Sequence, residues 1–219
     1  MAKAKQQEEI IHLFDPQKDL LTTKIKIAGD SPLMLSKYTR GTIKDITGTQ
    51  TGVAKKGRKN VEKYYEVIER IHWLNPLPPE EEIIYDEETL NDLLTNNKPC
   101  ILGVAIWKSV LNTIVRCGFD TYSTKAKATF RVVDDKIPIT FSEMKIDERL
   151  IPAKMSKAPI LTYRPVFYDW EAEFTIKFTT DNYSAEQILA FINQAGFSNG
   201  IGSCRPGTSG THGMFRIIS

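Results

Sequence analysis

The chain has 219 residues, of which 41% are hydrophobic and 10% aromatic, and its formal net charge is +2. This composition is rich enough in apolar side chains for a buried core, so it excludes a chain that is disordered throughout. A net charge so near zero neither favours nor excludes a polyanionic partner, and the distribution of charge has to decide. The chain has three cysteines, Cys100, Cys117 and Cys204. Because their number is odd and none of them are close together in the sequence, they favour a reducing compartment over a disulfide framework.

The hydropathy of the chain predicts its cellular location. The opening stretch, MAKAKQQEEI, lacks the apolar region of a signal peptide. No apolar run reaches the roughly 20 residues of a membrane helix. We therefore expect a cytoplasmic protein without a membrane partner, whose residues 1–19 form a flexible N-terminus.

The first half of the chain predicts one strand, a long loop and three helical segments. Residues 20–29 alternate, with Ile25 and Ile27 on one side and Lys24 and Lys26 on the other, which is typical of a half-buried strand. Residues 39–63 are rich in Gly, Thr and Lys without a period, and predict a long, mobile basic loop of the kind that is often functional. Residues 61–74 form either a helix or an irregular packed segment, and a short helix starts near Asp86.

The clearest helix of that half spans residues 102–118. Its predicted apolar stripe is followed by Gly118, which ends the helix. The stripe consists of Val104, Trp107, Leu111, Ile114 and Val115.

The second half predicts three strands and one helix. Residues 125–133 alternate as a strand, with Ala126, Ala128, Phe130 and Val132 inward and Lys125, Lys127 and Arg131 outward. Residues 134–169 form a connecting insertion with a short strand at 136–141, before a third strand at 170–179. A capping box of Ser184 and Gln187 starts a helix that Gly196 ends. A glycine-rich loop over 196–213 and a final strand at 214–218 follow.

The order of these elements indicates an α+β fold. Without its insertions the chain has the order βαββαβ, which is the ferredoxin-like arrangement, in a single domain over residues 1–219. Two helices then cover one face of the sheet and leave the other face open.

The outward strand residues give that open face a basic character. A lysine on a solvated strand is ordinary, but the joint pattern favours phosphate binding, because several phosphate contacts supply most of the sequence-independent affinity for nucleic acid. Aromatic pairs for base stacking are missing, so backbone contacts are the better interpretation. The cations of the face are Lys24, Lys26, Lys125, Lys127, Arg131, Lys177 and Arg216, diluted by Glu171 and Glu173, and the 39–63 loop adds Lys55, Lys56, Arg58 and Lys59.

Five glycines crowd the loop before the last strand: Gly200, Gly202, Gly207, Gly210 and Gly213. The segment matches neither the P-loop nor the dinucleotide-binding motif. Two interpretations remain, a long bulged turn or a backbone surface that lies close to a ligand. On the second, Arg205 contacts phosphate, and valine at Gly202 or Gly210 weakens binding far more than it lowers the melting temperature. On the first, the ranking is reversed.

A helix that leads into GIGSCRPGTSGTHGMF and a final strand resembles the RAMP superfamily, the RNA-binding proteins of CRISPR effector complexes. The match is carried by Arg164, Pro165, Trp170, Ala195, Gly196, Gly200, Gly202, Arg205, Pro206, Gly210, Gly213 and Phe215. The resemblance implies RNA packed against the glycine-rich loop and insertions that act as thumbs, here residues 39–63. It also resembles small phage-encoded proteins of this build, which include a messenger-RNA-binding protein of jumbo phages.

The resulting hypothesis is a non-catalytic protein that binds single-stranded RNA, such as phage mRNA, in the cytoplasm of a bacterial host, with self-association along the RNA. It needs no cofactor, and the three His and three Cys show no metal-ligand spacing. Its contacts are Lys24, Lys26, Lys55, Lys56, Arg58, Lys59, Lys125, Lys127, Arg131, Arg164, Gly200, Gly202, Arg205, Gly207, Gly210, His212, Gly213 and Arg216.

Three alternatives stay open. The first is a phage inhibitor that mimics a CRISPR RAMP subunit and binds host effector proteins, with the acidic residues 80–88 as its contact surface. The second is a metal-independent endoribonuclease that uses His212, although no second acid or base is obviously paired with it. The third is a virion structural protein.

Overall fold

The computed structural model of the protein describes residues 20–51, 62–152 and 159–218. Within these ranges the helices are α1 (Arg40–Gln50), α2 (Lys63–Arg70), α3 (Glu87–Asn96), α4 (Gly103–Arg116), α5 (Thr124–Thr129) and α6 (Ala185–Ser198). The strands are β1 (Leu21–Gly29), β2 (Leu33–Met34), β3 (His72–Trp73), β4 (Pro99–Leu102), β5 (Phe130–Val132), β6 (Lys136–Thr140), β7 (Glu143–Pro152), β8 (Pro159–Tyr168), β9 (Glu171–Phe178) and β10 (Phe215–Ile218). None of these helices is long and apolar enough to cross a membrane.

The larger sheet is antiparallel and has the strand order β10-β1-β9-β6-β4-β3. On its side away from β1, β9 pairs with β6 near its start and with β5 near its end. The predicted alternation of β1 and β9 is confirmed, because Ile25 and Ile27 are buried and lie beside Phe174 and Ala172. These side chains form the core together with α4 and α6.

The predicted helices α4 and α6 are confirmed, but the apolar stripe of α4 is partly wrong. Val104 and Val115 are 46% and 43% exposed. The row that faces the sheet is instead Ile106, Val110 and Ile114, which are spaced by four residues and fully buried.

Helix α6 begins at the predicted capping box, in which Ser184 Oγ accepts a hydrogen bond from Gln187 N at 3.3 Å. Its predicted end at Gly196 is wrong, because the helix continues to Ser198. A Cβ at position 196 would lie 1.7 Å from the carbonyl oxygen of Phe215. The glycine therefore lets α6 and β10 approach closely and does not terminate the helix.

The insertion 134–169 is more ordered than its sequence indicates. The short strand predicted at 136–141 is confirmed as β6. Beyond it, β7 and β8 form a hairpin, and β2 joins β8 to make a second, three-stranded sheet. Helix α2 packs against β8. The hairpin escaped prediction because apolar and charged residues alternate irregularly along β7.

The prediction of a loop over residues 39–63 is wrong for its first part, which forms α1. The Thr39 hydroxyl caps this helix by accepting from Thr42 N at 3.1 Å. The Glu69 carboxylate, which is fully buried, accepts from Arg40 N at 3.1 Å and from Arg40 Nε at 2.8 Å. No residue of α1 is buried, so it has no hydrophobic period. Residues 52–61, with Lys55, Lys56, Arg58 and Lys59, lie outside the described residues, as do residues 1–19.

The strand predicted over residues 125–133 is also wrong in its first half. Lys125 and Lys127 belong to helix α5, and the strand is limited to Phe130–Val132. Ala126 and Thr129 are buried, three positions apart, on one side of the helical turn. Alanine and lysine favour helices, and over six residues their alternation does not distinguish a strand from a helix.

Candidate nucleic-acid interface

The segment between α6 and β10, residues 199–214, is called the glycine loop below. It is bound to its own backbone and to the segment that contains β2. Ser203 N donates to Met34 O at 2.8 Å, Gly213 N donates to Pro32 O at 2.8 Å, and Ile201 N donates to Gly213 O at 2.9 Å. These bonds fix the path of the loop before any ligand arrives.

The glycines make this path sterically accessible. Gly202 has φ of +77°, and a Cβ there would lie 2.5 Å from Met34 O. A Cβ at Gly210 would lie 1.8 Å from Cys204 O. Valine at either position would therefore collide with backbone atoms, which contradicts the expectation that such variants spare stability. Whether these glycines also contact RNA stays a prediction.

Helix α4 holds the start of the glycine loop through buried polar groups. The Ser109 hydroxyl donates to Gly200 O at 2.8 Å and accepts from Asn199 Nδ2 at 2.9 Å. Farther along the helix, Arg116 Nη1 donates to Gly207 O at 3.3 Å. These hydrogen bonds hold the glycine loop against α4, so the two elements form one continuous surface.

A groove of about 390 Å³ lies along that surface, and it is called the loop groove below. Ala105, Lys108 and Asn112, spaced by three or four residues, line it from α4. Gly202 and Arg205 line it from the glycine loop, and no aspartate or glutamate belongs to its lining. The loop groove is therefore a concave surface of positive charge.

Two kinds of hydrogen-bond donor meet at the loop groove. Arg205 Nη1 donates to Gly202 O at 3.0 Å, which orients the guanidinium along the loop. Within the described part of the chain, the backbone N–H groups of Gly202, Cys204 and Arg205 donate no hydrogen bond. The Ser203 amide between them donates to Met34 O, so among the described residues only the amides of Cys204 and Arg205 are consecutive and without a partner.

His72 reaches the loop groove from β3. Burial, together with the nearby ammonium groups of Lys37 and Lys136, lowers its pKa to about 4. The imidazole is therefore neutral at pH 7, so it lines the groove as a polar side chain without a charge. The two lysines keep the surroundings of the groove positive.

Arg164, a predicted RNA contact, lies on β8 next to the glycine loop. Its Nη1 atom lies 3.5 Å from Cys204 Sγ and 3.8 Å from Met34 Sδ. Its Nε atom is buried and has no hydrogen-bond partner among the described residues. Across the hairpin, Arg149 is neutralised by Asp147, whose Oδ2 accepts from Arg149 Nε at 2.5 Å. Arg164 thus forms no ion pair within the described ranges, although Asp147, which pairs with Arg149, lies directly opposite it on β7.

His212 is half-buried near the end of the glycine loop, where its backbone N–H donates to the backbone oxygen of Cys204 at 2.9 Å. Burial lowers the pKa of its imidazole, the Arg149 guanidinium lowers it further, and the Asp147 carboxylate partly offsets both effects. The neutral imidazole therefore dominates at pH 7, and His212 supplies no fixed charge to a phosphate. Across the described ranges, no three His, Cys, Asp or Glu side chains are placed to hold a metal ion.

The open sheet face differs from its predicted basic character. Lys24 Nζ lies 2.9 Å from Glu173 Oε1, and Lys26 Nζ lies 2.6 Å from Glu171 Oε2. The guanidinium of Arg216 pairs with Asp30. These three cations are therefore paired with carboxylates, and whether they contact RNA stays a prediction.

The other predicted cations of that face are divided between the sheet and α5. Lys125 Nζ lies 3.7 Å from Asp120 Oδ2 on the far side of α5. The guanidinium of Arg131 stacks over the Trp107 ring at 4.6 Å from its centroid. Lys177 remains on the open face of β9, and Lys127 lies on α5. The structure therefore brings Arg131 and Lys177 together, since they lie directly opposite each other on β5 and β9, whereas Lys125 and Lys127 lie on α5.

Sequence reasoning missed Lys108, Asn112 and His72 in the loop groove. Lys108 and Asn112 are exposed residues of α4 four positions apart, a spacing that places them on one face of a helix. That signal was present in the sequence. The position of this face beside the glycine loop was not, because it depends on how α4 and α6 pack.

Comparisons with known proteins support the fold. No protein-family model and no curated protein matches the chain. A chain of the cryo-EM structure of the Type III-B Cmr-beta bound to cognate target RNA is similar, with a TM-score of 0.50 and 11% sequence identity. The likeness covers 99% of this chain and 65% of that chain, so this chain spans less than two thirds of the other's length. At this identity the likeness shows the fold alone, which is mixed α/β with antiparallel sheets.

Proposed function

We propose that this chain binds single-stranded RNA without cleaving it and that the phosphate backbone lies in the loop groove. The observation that carries the proposal is a groove that Lys108 and Arg205 line together, with polar side chains and no carboxylate in the lining. Phosphate satisfies such donors directly, since charge-assisted hydrogen bonds are about twice as strong as neutral ones. Phage origin, a cytoplasmic location and self-association along the RNA belong to the same proposal.

Arg164 supports an anionic ligand on independent grounds. An arginine that is half-buried, has an unpartnered Nε and forms no ion pair in the described ranges carries an electrostatic cost. An anion beside Cys204 would compensate this charge. The glycine loop then presents Arg205 on one side of Cys204 and contacts Arg164 on the other.

The choice of RNA rests on the shared fold. The similar chain belongs to a structure bound to target RNA.

We infer further that the core is ferredoxin-like. The strand order β10-β1-β9-β5 supports this, because it sets the fourth, first, third and second strands of a βαββαβ unit side by side, with α4 and α6 on one face.

Fluorescence anisotropy with a labelled single-stranded RNA tests the proposal. We expect Lys108→Ala with Arg205→Ala to lower the affinity roughly tenfold for each cation, because hydrogen bonds to charged groups contribute about 1.5–3 kcal/mol. The log–log salt slope should also become less negative by about 0.7 for each lost contact.

The matched control replaces two cations of the sheet face, Lys24→Ala with Lys26→Ala. Both lysines already have carboxylate partners, so the affinity should change little. Equal losses in the two double variants, or an unchanged affinity in the loop-groove variant, would contradict the proposed site.

Catalysis needs a separate measurement. We expect end-labelled RNA to remain intact with the wild-type protein, and His212→Ala to bind RNA with the wild-type affinity. Cleavage that disappears in His212→Ala would instead support the endoribonuclease alternative. A protein that binds host effector subunits in ribonuclease-treated lysate, and binds no RNA, would support the inhibitor alternative.

A further inference from the structure

The loop groove has an apolar part that its cations do not explain. Leu35, Ile101 and Ile201 line it and are only 4%, 3% and 2% exposed, and the half-buried Leu102 and Ala105 line it as well. These five residues are called the apolar floor below. A phosphate group has no apolar surface that could cover them. The floor therefore indicates a ligand that combines an apolar part with its negative charge.

Backbone hydrogen bonds hold the apolar floor in place. Leu35 N donates to Pro165 O at 3.1 Å. Ile201 N donates to Gly213 O at 2.9 Å. Ile101 lies on β4, which pairs with β6. The floor is therefore preformed, as is usual for sites that bind small ligands.

Neutral and charged polar groups line the groove together with the apolar floor. The neutral His72 imidazole and the Asn112 carboxamide each offer both a hydrogen-bond donor and an acceptor. Lys108 and Arg205 add positive charge. These three kinds of surface match the three parts of a nucleotide, namely the faces of the base, the polar edge of the base and the phosphate.

The volume of the groove limits the size of the ligand. The groove holds about 390 Å³. This lies at the lower end of the range of roughly 300–1,000 Å³ that small-molecule sites span. The space suits a single nucleotide better than a stack of bases. A base that enters the groove must therefore leave the stack of its own strand.

We propose that the loop groove holds one unstacked nucleotide of the RNA strand, with its base against the apolar floor and its phosphate at Lys108 and Arg205. This inference rests on the proposed function and deepens it, because the groove then takes a base as well as the backbone. No Phe, Tyr or Trp belongs to the described lining, so the base is held by burial against aliphatic side chains and not by stacking between rings. The polar edge of the base meets His72 and Asn112.

Two strands of equal length and charge test this inference by fluorescence anisotropy. One is a labelled single-stranded RNA, and the other is a stable abasic ribose-phosphate strand with the same label. We expect the wild-type protein to bind the RNA about fivefold more tightly, because only the RNA brings a base whose apolar surface leaves water. Equal affinities would overturn the inference and leave the backbone contacts of the proposed function standing. Failure of both strands to bind would overturn both.

A substitution in the apolar floor locates the base. Ala105→Leu fills part of the groove from α4, so it should reduce the affinity for RNA to that for the abasic strand and leave the abasic affinity at the wild-type value. Ala190→Leu makes the same change at an exposed position of α6 outside the groove and should leave both affinities unchanged. Lys108→Ala should weaken the binding of both strands by the same factor, because it removes a phosphate contact. A preference for RNA that survives in Ala105→Leu, or is equally lost in Ala190→Leu, would overturn the inference.

Competition tests the inference on the wild-type protein, so it does not depend on how Ala105→Leu folds. A nucleoside monophosphate should displace labelled RNA at a lower concentration than ribose monophosphate, which carries the same charge but no base. Equal displacement by the two would overturn the assignment of a base to the groove. A nucleoside monophosphate that binds, as measured by calorimetric titration, without displacing RNA would show that the site serves free nucleotides and would overturn the assignment to the strand.

Discussion

The loop groove and strand β1 of the open sheet face carry cations of the same types, but only those of the loop groove have no carboxylate partner among the described residues. On the sheet face, Lys24 lies 2.9 Å from a carboxylate oxygen of Glu173, and Lys26 is paired with Glu171. In the loop groove, Lys108 and Arg205 share a lining without any carboxylate. The availability of a cation for phosphate therefore depends on its spatial neighbours and not on its count in the sequence.

The register of the sheet explains the difference. Lys26 of β1 lies directly opposite Glu173 of β9, and Lys24 lies opposite Thr175, one diagonal step from Glu173. Cross-strand neighbours of opposite charge attract each other over these distances. The loop groove is built instead from a helix and a loop, whose residues have no such ladder of partners.

The largest expected effect is on stability, and it shows whether the fold of the glycine loop requires a glycine at position 202. Gly202→Val should lower the free energy of unfolding by about 2–5 kcal/mol, since it adds positive-φ strain to a collision with Met34 O. Urea denaturation measures this loss. Gly118→Val is the matched control, because Gly118 also has a positive φ but a Cβ there meets no atom within 4 Å. The control should lose only about 1–2 kcal/mol. Equal losses would show that contact with Met34 contributes nothing.

A smaller effect concerns the neutral His72 in the loop groove. Its folded-state pKa of about 4 lies below the unfolded value of about 6.5, so the unfolded state binds more protons between these limits. The stabilisation is complete above pH 6.5 and is lost as the pH falls toward 4. After allowance for solvent screening at this half-buried site, we expect a loss of about 1–2 kcal/mol. Thermal melts of wild type and His72→Gln across this range should diverge, and parallel pH profiles would contradict the assignment.

The smallest expected change in stability follows from removing the carboxylate partners of Lys24 and Lys26 on the sheet face. Glu171→Gln with Glu173→Gln should change the free energy of unfolding by less than about 1 kcal/mol, because both ion pairs are exposed. RNA affinity should rise a few-fold at low salt, since Lys24 and Lys26 become unpaired. Glu81→Gln with Glu82→Gln changes the net charge equally at a distant site. An equal rise in that variant would show that total charge, and not the sheet face, governs the affinity.

Elements with a strong periodic pattern were predictable from the sequence. Strands β1 and β9 alternate, and α6 begins at its capping box. Helix α1 was not predictable, because none of its residues is buried and its anchor Glu69 is distant in the sequence. Helix α5 was missed because Ala126 and Lys127 belong to a short alternating run that fits both kinds of structure.

The candidate site was partly predictable. The glycines and Arg205 mark the glycine loop in the sequence, but they do not show that this loop packs against α4 and β2. Lys108 and His72 come from distant segments and meet the loop only in the folded chain. Charge pairing was likewise invisible, because the partner of Lys24 follows it by 149 positions.

Helix α1 has one further property. It is 11 residues long, has no buried residue and starts at the bonds between Arg40 and Glu69. Helices shorter than about 12–15 residues are marginal in water without tertiary contacts. The polar contacts of its first residues, Arg40 with Glu69, Gly41 N with Tyr65 Oη at 3.0 Å and Lys44 Nζ with Glu80 at 2.7 Å, therefore stabilise α1 in place of a buried apolar face. The buried Glu69 carboxylate of α2 thus fixes the start of a helix that begins 29 positions before it in the sequence.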